Sequence, residues 1–150
     1  MTGELKIIIA RNSVEIAAAQ EIRKRVFVEE QVIPAHLDDD GLDGSAFHML
    51  CCYGDTFAAT GRLVVLTPHE GVLSRIAVLP GYRGRGVGGL IVKKLETLAV
   101  EQGIRELSLH PHQYLEDFYM NLGYKRVSGT SQVGGYELIT MQKIIGGLVQ

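Results

Sequence analysis

A chain of 150 residues, 46% hydrophobic and 21% charged, has the material for one domain with a real core, which excludes a disordered chain. Its 15 basic and 17 acidic side chains leave a formal charge of −2, which excludes a general attraction to nucleic acid or to an anionic membrane. Any anion site must therefore be local.

No apolar run approaches the roughly 20 residues needed to span a bilayer. Met1-Thr2-Gly3-Glu4 is soon followed by Lys6 and Arg11, without the apolar stretch and small-residue cleavage site of a secreted chain. The two cysteines, Cys51 and Cys52, are adjacent in an apolar run, where strand geometry would turn them to opposite faces. A reduced, cytoplasmic protein is the expectation.

Taken in order, Leu5–Ala10 reads as a first strand. Asn12 or Ser13 can cap a helix starting near Val14, with Ile16, Ala19, Ile22, Val26 and Phe27 at helical spacing. Pro34 is expected to end any helix there, and Pro34–Ser45, with Asp38, Asp39, Asp40, Gly41, Asp43 and Gly44, reads as a loop. Phe47–Tyr53 and Phe57–Leu66 read as strands joined at Gly54-Asp55. A turn at His69-Glu70-Gly71 leads to a strand over Val72–Leu79, which Pro80-Gly81 stops. After the glycine-rich Arg83–Gly89 comes an amphipathic helix, Leu90–Glu101, closed by Gly103. Then follow a strand Arg105–Leu109, a helix Leu115–Leu122 closed by Gly123, and strands Tyr124–Val127 and Tyr136–Lys143, with a fraying end at Gly146–Gln150. The order is mixed α/β in a single domain, residues 1–150, with a helix-connected, parallel pair of strands flanking the glycine-rich loop.

The strongest local signal is strand, tight turn, Arg83-Gly84-Arg85-Gly86-Val87-Gly88-Gly89, then helix. Glycines let backbone approach an anion, the helix start offers unpaired N–H groups, and two arginines add charge. A nucleotide-triphosphate loop would need Gly-Lys-Ser/Thr, where Gly88-Gly89-Leu90 stands instead. Gly84, Gly86 and Gly89 satisfy G-x-G-x-x-G. However, Pro80-Gly81-Tyr82 separates them from the strand, and no acidic residue ends the next strand, where Leu109 and His110 lie.

Arg83-x-x-Gly86-x-Gly88, preceded by Leu73-Ser74-Arg75-Ile76-Ala77-Val78-Leu79-Pro80, resembles the pyrophosphate loop of the GCN5-related N-acetyltransferases, the GNAT family. Phe118-Tyr119-Met120-Asn121-Leu122-Gly123-Tyr124 resembles that family's aromatic-Tyr-x-x-x-Gly-aromatic segment, in the expected order. Arg23-x-x-Val26-Phe27-Val28-Glu29-Glu30-Gln31-x-x-Pro34, with Asp40, Asp43 and His48, is similar to the family's ElaA/YjcF-like branch. One departure is His112 and Tyr114, where that branch tends to carry Gln and His; His112 also stands where many relatives have an Asn on the pantetheine arm.

The resemblance implies a mixed, mostly antiparallel sheet with one parallel, splayed pair and flanking helices. It also implies acyl transfer from acetyl-CoA, as co-substrate and without a metal, to an amine on a small molecule, peptide or protein. Dimers are common in the family, so a homodimer is one expectation. Ile76, Ala77 and Val78 are the implied backbone contacts to pantetheine, with the Val78 N–H polarising the thioester. Arg83, Gly84, Arg85, Gly86, Val87, Gly88 and Gly89 are implied around the pyrophosphate, and His112 beside the arm. Tyr119 matches the frequent general acid. With a pKa of about 10, above the thiol's about 8.5, it stays a neutral phenol that can hydrogen-bond or protonate the leaving sulfur; otherwise it is a core tyrosine bonded to backbone. Glu29, Glu30, His110 and His112 are the candidate bases. His110 and His112 lack a third ligand at metal-like spacing. His48 and the acidic run line an acceptor pocket on the branch resemblance, or form a solvated loop. The rival function is an acyl-CoA-binding sensor without catalysis.

Overall fold

The computed structural model describes residues 4–133 and 135–146. Seven strands form one sheet: β1 (Leu5–Ile9), β2 (Phe47–Tyr53), β3 (Thr56–Thr67), β4 (Glu70–Val78), β5 (Glu106–Leu109), β6 (Lys125–Val133) and β7 (Tyr136–Ile144), in the order β1-β2-β3-β4-β5-β7-β6. Every neighbouring pair is antiparallel except β4 and β5. The parallel pair is the one the helix α3 (Val87–Glu101) connects, as a crossover requires.

Strand alternation sorts apolar side chains into two cores. Met49, Cys51, Ala59, Leu63 and Leu73 pack under Ile91, Leu95 and Ala99 of α3. Leu50, Cys52, Ala77 and Leu79 pack on the opposite face, under Ala19 and Ile22 of α1 (Ser13–Arg23). Cys51 and Cys52 thus fall on opposite faces, and burial pushes the Cys51 thiol up to about 11. Among the described residues, no helix is long and apolar enough to cross a membrane.

Asn12 caps α1, its Oδ1 accepting from the Glu15 N–H at 2.9 Å while Glu15 Oε1 accepts from the Arg11 N–H at 2.8 Å. Beyond Arg23 the helix loosens into a π-helical segment, Lys24–Glu30, and Val32 turns the chain at φ 59°. Pro34 opens an element instead of ending one: it precedes α2 (Ala35–Asp38), so the predicted loop contains a helical turn, with a second at Asp43–Ser45. The turn before β4 is Pro68-His69, and Glu70 already lies in the strand, paired with Thr67. The strand predicted to stop at Val127 runs to Val133 as β6; all nine of its residues are exposed, so no apolar alternation marks it. The final helix is α4 (Glu116–Asn121). Of the end predicted to fray, residues 147–150 lie outside the described residues.

Gly61 sets how closely α3 approaches the sheet. A Cβ there would come within 2.6 Å of Ile91 Cγ2 and 2.9 Å of Leu95 Cδ1. Gly61→Val adds a good strand former, yet it forces α3 off β3. The expected result is a lower urea midpoint at unchanged m-value, a loss of about 1–3 kcal/mol.

Candidate active site

β4 and β5 pair only at Glu70–Glu106, Gly71–Leu107 and Val72–Ser108. Beyond that β4 runs on to Val78, while β5 ends at Leu109 and passes into His110-Pro111. Two local causes separate them. Arg75 adopts φ 54°, a bulge that shifts the β3–β4 register between Thr60 and Arg62. Pro111 has no N–H to give, and its carbonyl accepts from Ile139 on the β7 side.

The gap is a cleft of about 330 Å³. Its β4 wall is open backbone. Leu79 donates its N–H to Ala58 of β3 at 2.9 Å, so by alternation the peptide groups of Val78 and Ile76 face away from β3, into the cleft. Ala77 is turned the other way, opposite Thr60, so its peptide group serves the sheet. Of the three predicted backbone contacts, two are presented to the cleft.

The glycine-rich loop lies at one end of this wall. Gly84 and Gly86 both sit at φ 77°, where a side chain is strained, and Gly86 is the N-cap of α3. Leu90 donates to the Gly86 carbonyl, so the N–H groups of Val87, Gly88 and Gly89 precede the first intrahelical bond. A Cβ on Gly88 would lie 3.6 Å from Phe118 and 3.9 Å from Val78, so the loop, β4 and α4 converge there. Arg83 turns back over β4: its Nε donates to the Val78 carbonyl at 2.8 Å, and its Nη atoms donate to Glu30 at 2.6 and 2.7 Å.

Tyr119 lines the cleft at 5% exposure, edge-on to Phe118 and Tyr124. Burial raises its pKa well above the usual phenol range, so it remains a neutral donor. Among the described residues its hydroxyl has no hydrogen-bond partner, whereas the core tyrosine beside it, Tyr124, donates to Glu96 at 2.8 Å. The far wall carries His110, His112 and Tyr114. His110 Nδ1 meets Thr140 Oγ1 at 3.1 Å. His112 stacks on Tyr136 at 4.5 Å, its Nδ1 is 3.0 Å from the Tyr114 hydroxyl, and burial lowers its pKa, which keeps the imidazole neutral. Glu30 is less suited to take a proton, because its hydrogen bond with Arg83 lowers its pKa. Among the described residues, no three His, Cys, Asp or Glu side chains assemble as a metal site.

The acidic run is spent on arginines. Buried Arg23 grips Asp38 at 3.1 Å and Asp43 at 2.9 Å; buried Arg62 grips Asp40 at 2.7 Å and Asp43 at 2.9 Å. Arg75, on the cleft wall, reaches Asp38 and Asp40, both at 3.2 Å, and the Leu37 carbonyl. His48 supports the same turn, its Nε2 lying 3.0 Å from the Asp43 carbonyl. Arg62 and Arg75 were not singled out from sequence. The available signal was Arg62, a charge inside the apolar run of β3 that burial obliges to find carboxylates.

A profile described as the acetyltransferase (GNAT) family matches residues 14–124. The chain belongs to that family of acyltransferases. Within it the chain is ElaA/YjcF-like. It is 34% identical over 124 residues to YjcF of Bacillus subtilis, called an uncharacterized N-acetyltransferase, with 83% of this chain and 88% of that one covered. The crystal structure of Escherichia coli ElaA matches with a TM-score of 0.83 and 26% identity over 93% of this chain and 99% of that one. A GNAT family acetyltransferase from Elizabethkingia anophelis with acetyl-CoA bound shares the fold, with a TM-score of 0.74 and 14% identity, covering 93% of this chain and 97% of that one.

The acidic turn sets an acid limit on stability. Arg62 hydrogen bonds hold Asp40 far below the usual carboxylate range. Burial would raise Asp43, but bonds from Arg23, Gln20 and Arg62 outweigh it and bring the group to about 2. A carboxylate depressed by folding contributes stability that is complete above its unfolded pKa, near 4, and is lost as pH falls toward the folded value. Urea midpoints should therefore hold from pH 7 to about pH 4 and fall from there to about pH 2. Asp43→Asn should begin lower at pH 7 and lose less over that acid interval.

Proposed function

We propose that this protein transfers an acetyl group from acetyl-CoA directly to a primary amine, in the cytoplasm and without a covalent enzyme intermediate. The observation that carries this reading is the juxtaposition of cleft-facing β4 backbone, at Ile76 and the Val78 N–H, with a neutral Tyr119 hydroxyl that has no partner among the described residues. A glycine loop at the mouth of that cleft supplies free helix N–H groups.

The pantetheine arm substitutes for the missing strand, bonding the peptide groups of Ile76 and Val78 as a peptide would at a sheet edge. Its pyrophosphate meets the N–H groups of Val87, Gly88 and Gly89, with the charge of Arg83 and Arg85 nearby. Gly84 and Gly86 permit that close backbone approach. His112, beside the arm's path, packs against it from the β7 side.

The amine attacks the thioester carbonyl, whose oxygen is polarised by the Val78 N–H. The amine's proton leaves toward His110 and His112 on the far wall. As the tetrahedral intermediate collapses, the C–S bond breaks and Tyr119 hydrogen-bonds the departing sulfur and passes it a proton; the proton released by the amine returns to the phenolate, so the net change is one proton moved from the amine to the sulfur. Glu30 serves as charge beside the acceptor.

A thiol-release assay with acetyl-CoA against a panel of amines tests the reaction itself. Release that depends on both the amine and the protein is expected, and its absence across small amines, amino sugars, peptides and lysine side chains would sink the reading. Tyr119→Phe tests the mechanism on the best acceptor found. A group that interacts chiefly in the transition state lowers kcat more than it raises KM. The variant should lose about 10²-fold in kcat with little change in KM for acetyl-CoA. Because burial keeps the phenol protonated, the loss should be uniform from pH 6 to 10. A normal kcat would remove Tyr119 from the mechanism.

A further inference from the structure

Arg83 occupies groups that a bound coenzyme would need. The Val78 carbonyl it takes with Nε is one of the few cleft-facing acceptors on β4. While Arg83 holds it, a pantetheine amide has to compete with the guanidinium for that carbonyl. The same guanidinium spans the groove to Glu30, which ends the π-helical segment just before the left-handed Val32. In this arrangement Glu30 and Arg83 present a closed ion pair, and an approaching cation meets no net charge.

The clasp is easily opened. Its side chains are 41% and 40% exposed, so water screens the pair, and it holds an equilibrium by no more than about five-fold. The phosphates of coenzyme A carry several negative charges against the single charge of Glu30. Arg83 directly precedes left-handed Gly84 and lies three residues before Gly86, so its side chain is rooted beside the loop those phosphates would occupy.

Resting on the acyl-CoA reading, we propose that Arg83 is a partner used in turn. In the free protein it covers the Val78 carbonyl and neutralises Glu30. Bound coenzyme draws it onto the phosphates, and the bared Glu30 carboxylate then holds a cationic acceptor. Coenzyme binds first because it creates the acceptor's charge subsite.

Glu30→Gln separates this from simpler roles, because the amide keeps the shape and releases Arg83. Calorimetric titration with coenzyme A and with neutral D-pantetheine is the test, and the variant should bind both about two- to five-fold more tightly than the wild type. Tightening for coenzyme A alone would be a general charge effect and would overturn the proposal. Weaker or unchanged binding of both would overturn it too, since Glu30 would then be positioning Arg83 for the ligand or doing nothing. A wild-type protein that binds no coenzyme A would overturn the acyl-CoA reading, and this proposal with it.

The acceptor side is read by saturation-transfer NMR with 1,5-diaminopentane as the cationic probe. The wild type should bind it only when coenzyme A is present. Arg83→Ala should bind it without coenzyme, and Glu30→Gln in neither condition. Equal binding in all three proteins, with or without coenzyme, would refute Glu30 as the subsite.

Discussion

A strand with neighbours on both sides has no backbone to offer a ligand, so everything in this cleft depends on β4 losing one neighbour halfway along. The separation is enforced at Arg75, whose left-handed φ is unusual for a residue with a long side chain. Such a conformation persists only where its surroundings over-determine it. Here the guanidinium is bonded to the Leu37 and Asp38 carbonyls and to the Asp38 and Asp40 carboxylates. The backbone bulge and the side-chain anchorage are one device. Released from that turn, Arg75 could relax toward ordinary strand geometry, and the bend that carries β4 away from β5 would lose its anchor.

The turn that grips Arg75 is itself held by two buried arginines, Arg23 from α1 and Arg62 from β3. Three guanidinium groups against Asp38, Asp40 and Asp43 balance in charge, but such clusters rarely add stability over a well-packed apolar core. Their worth here is positional. Removing one partner leaves an uncompensated buried charge, at a cost of about 3–5 kcal/mol, so the cluster forms complete or not at all. It ties α1, the 38–43 turn, β3 and the β4 bulge into one unit, and that unit forms one wall of the cleft.

What could be read from the chain followed from how local each feature is. The strands β2 to β4, helix α3, the glycine-rich loop and the aromatic segment at 118–124 are each written within a few neighbouring residues; the elements form where predicted, except that β4 begins at Glu70 and not Val72, and α3 at Val87 and not Leu90. The bulge had no local signature, because Leu73-Ser74-Arg75-Ile76 reads as ordinary strand and the partners of Arg75 lie 35 to 38 residues away. The acidic run could be read only as an acceptor-pocket lining or a solvated loop for the same reason, its arginines being on three other elements. Arg83 stands out in the sequence as a loop cation, yet its contact with Glu30 bridges 53 residues and could not be inferred from spacing. Strand β6 was read as ending at Val127 because nine exposed residues leave no pattern for a core to impose.

The choice between direct transfer and a covalent route turns on which nucleophiles the cleft contains. A two-step mechanism needs a thiol, hydroxyl or amine next to a base that activates it. The two cysteines of the chain are packed in the cores on either face of the sheet, and the Cys51 thiol is raised to about 11, which makes it inert at neutral pH. Ser74 does line the cleft, but its hydroxyl accepts from Arg62 Nε at 3.0 Å, a cationic donor that withdraws the electron density a nucleophile needs. Tyr119 is held protonated by burial, which leaves it a hydrogen-bond donor and not the phenolate that could attack. None of these four side chains is set to form a covalent bond to an acyl carbon. On the proposed reading, the cleft's β4 backbone would hold a thioester, with a neutral donor for its sulfur and two imidazoles on the opposite wall. That reading leaves the incoming amine as the nucleophile, and makes the order in which coenzyme and amine arrive the step most open to control.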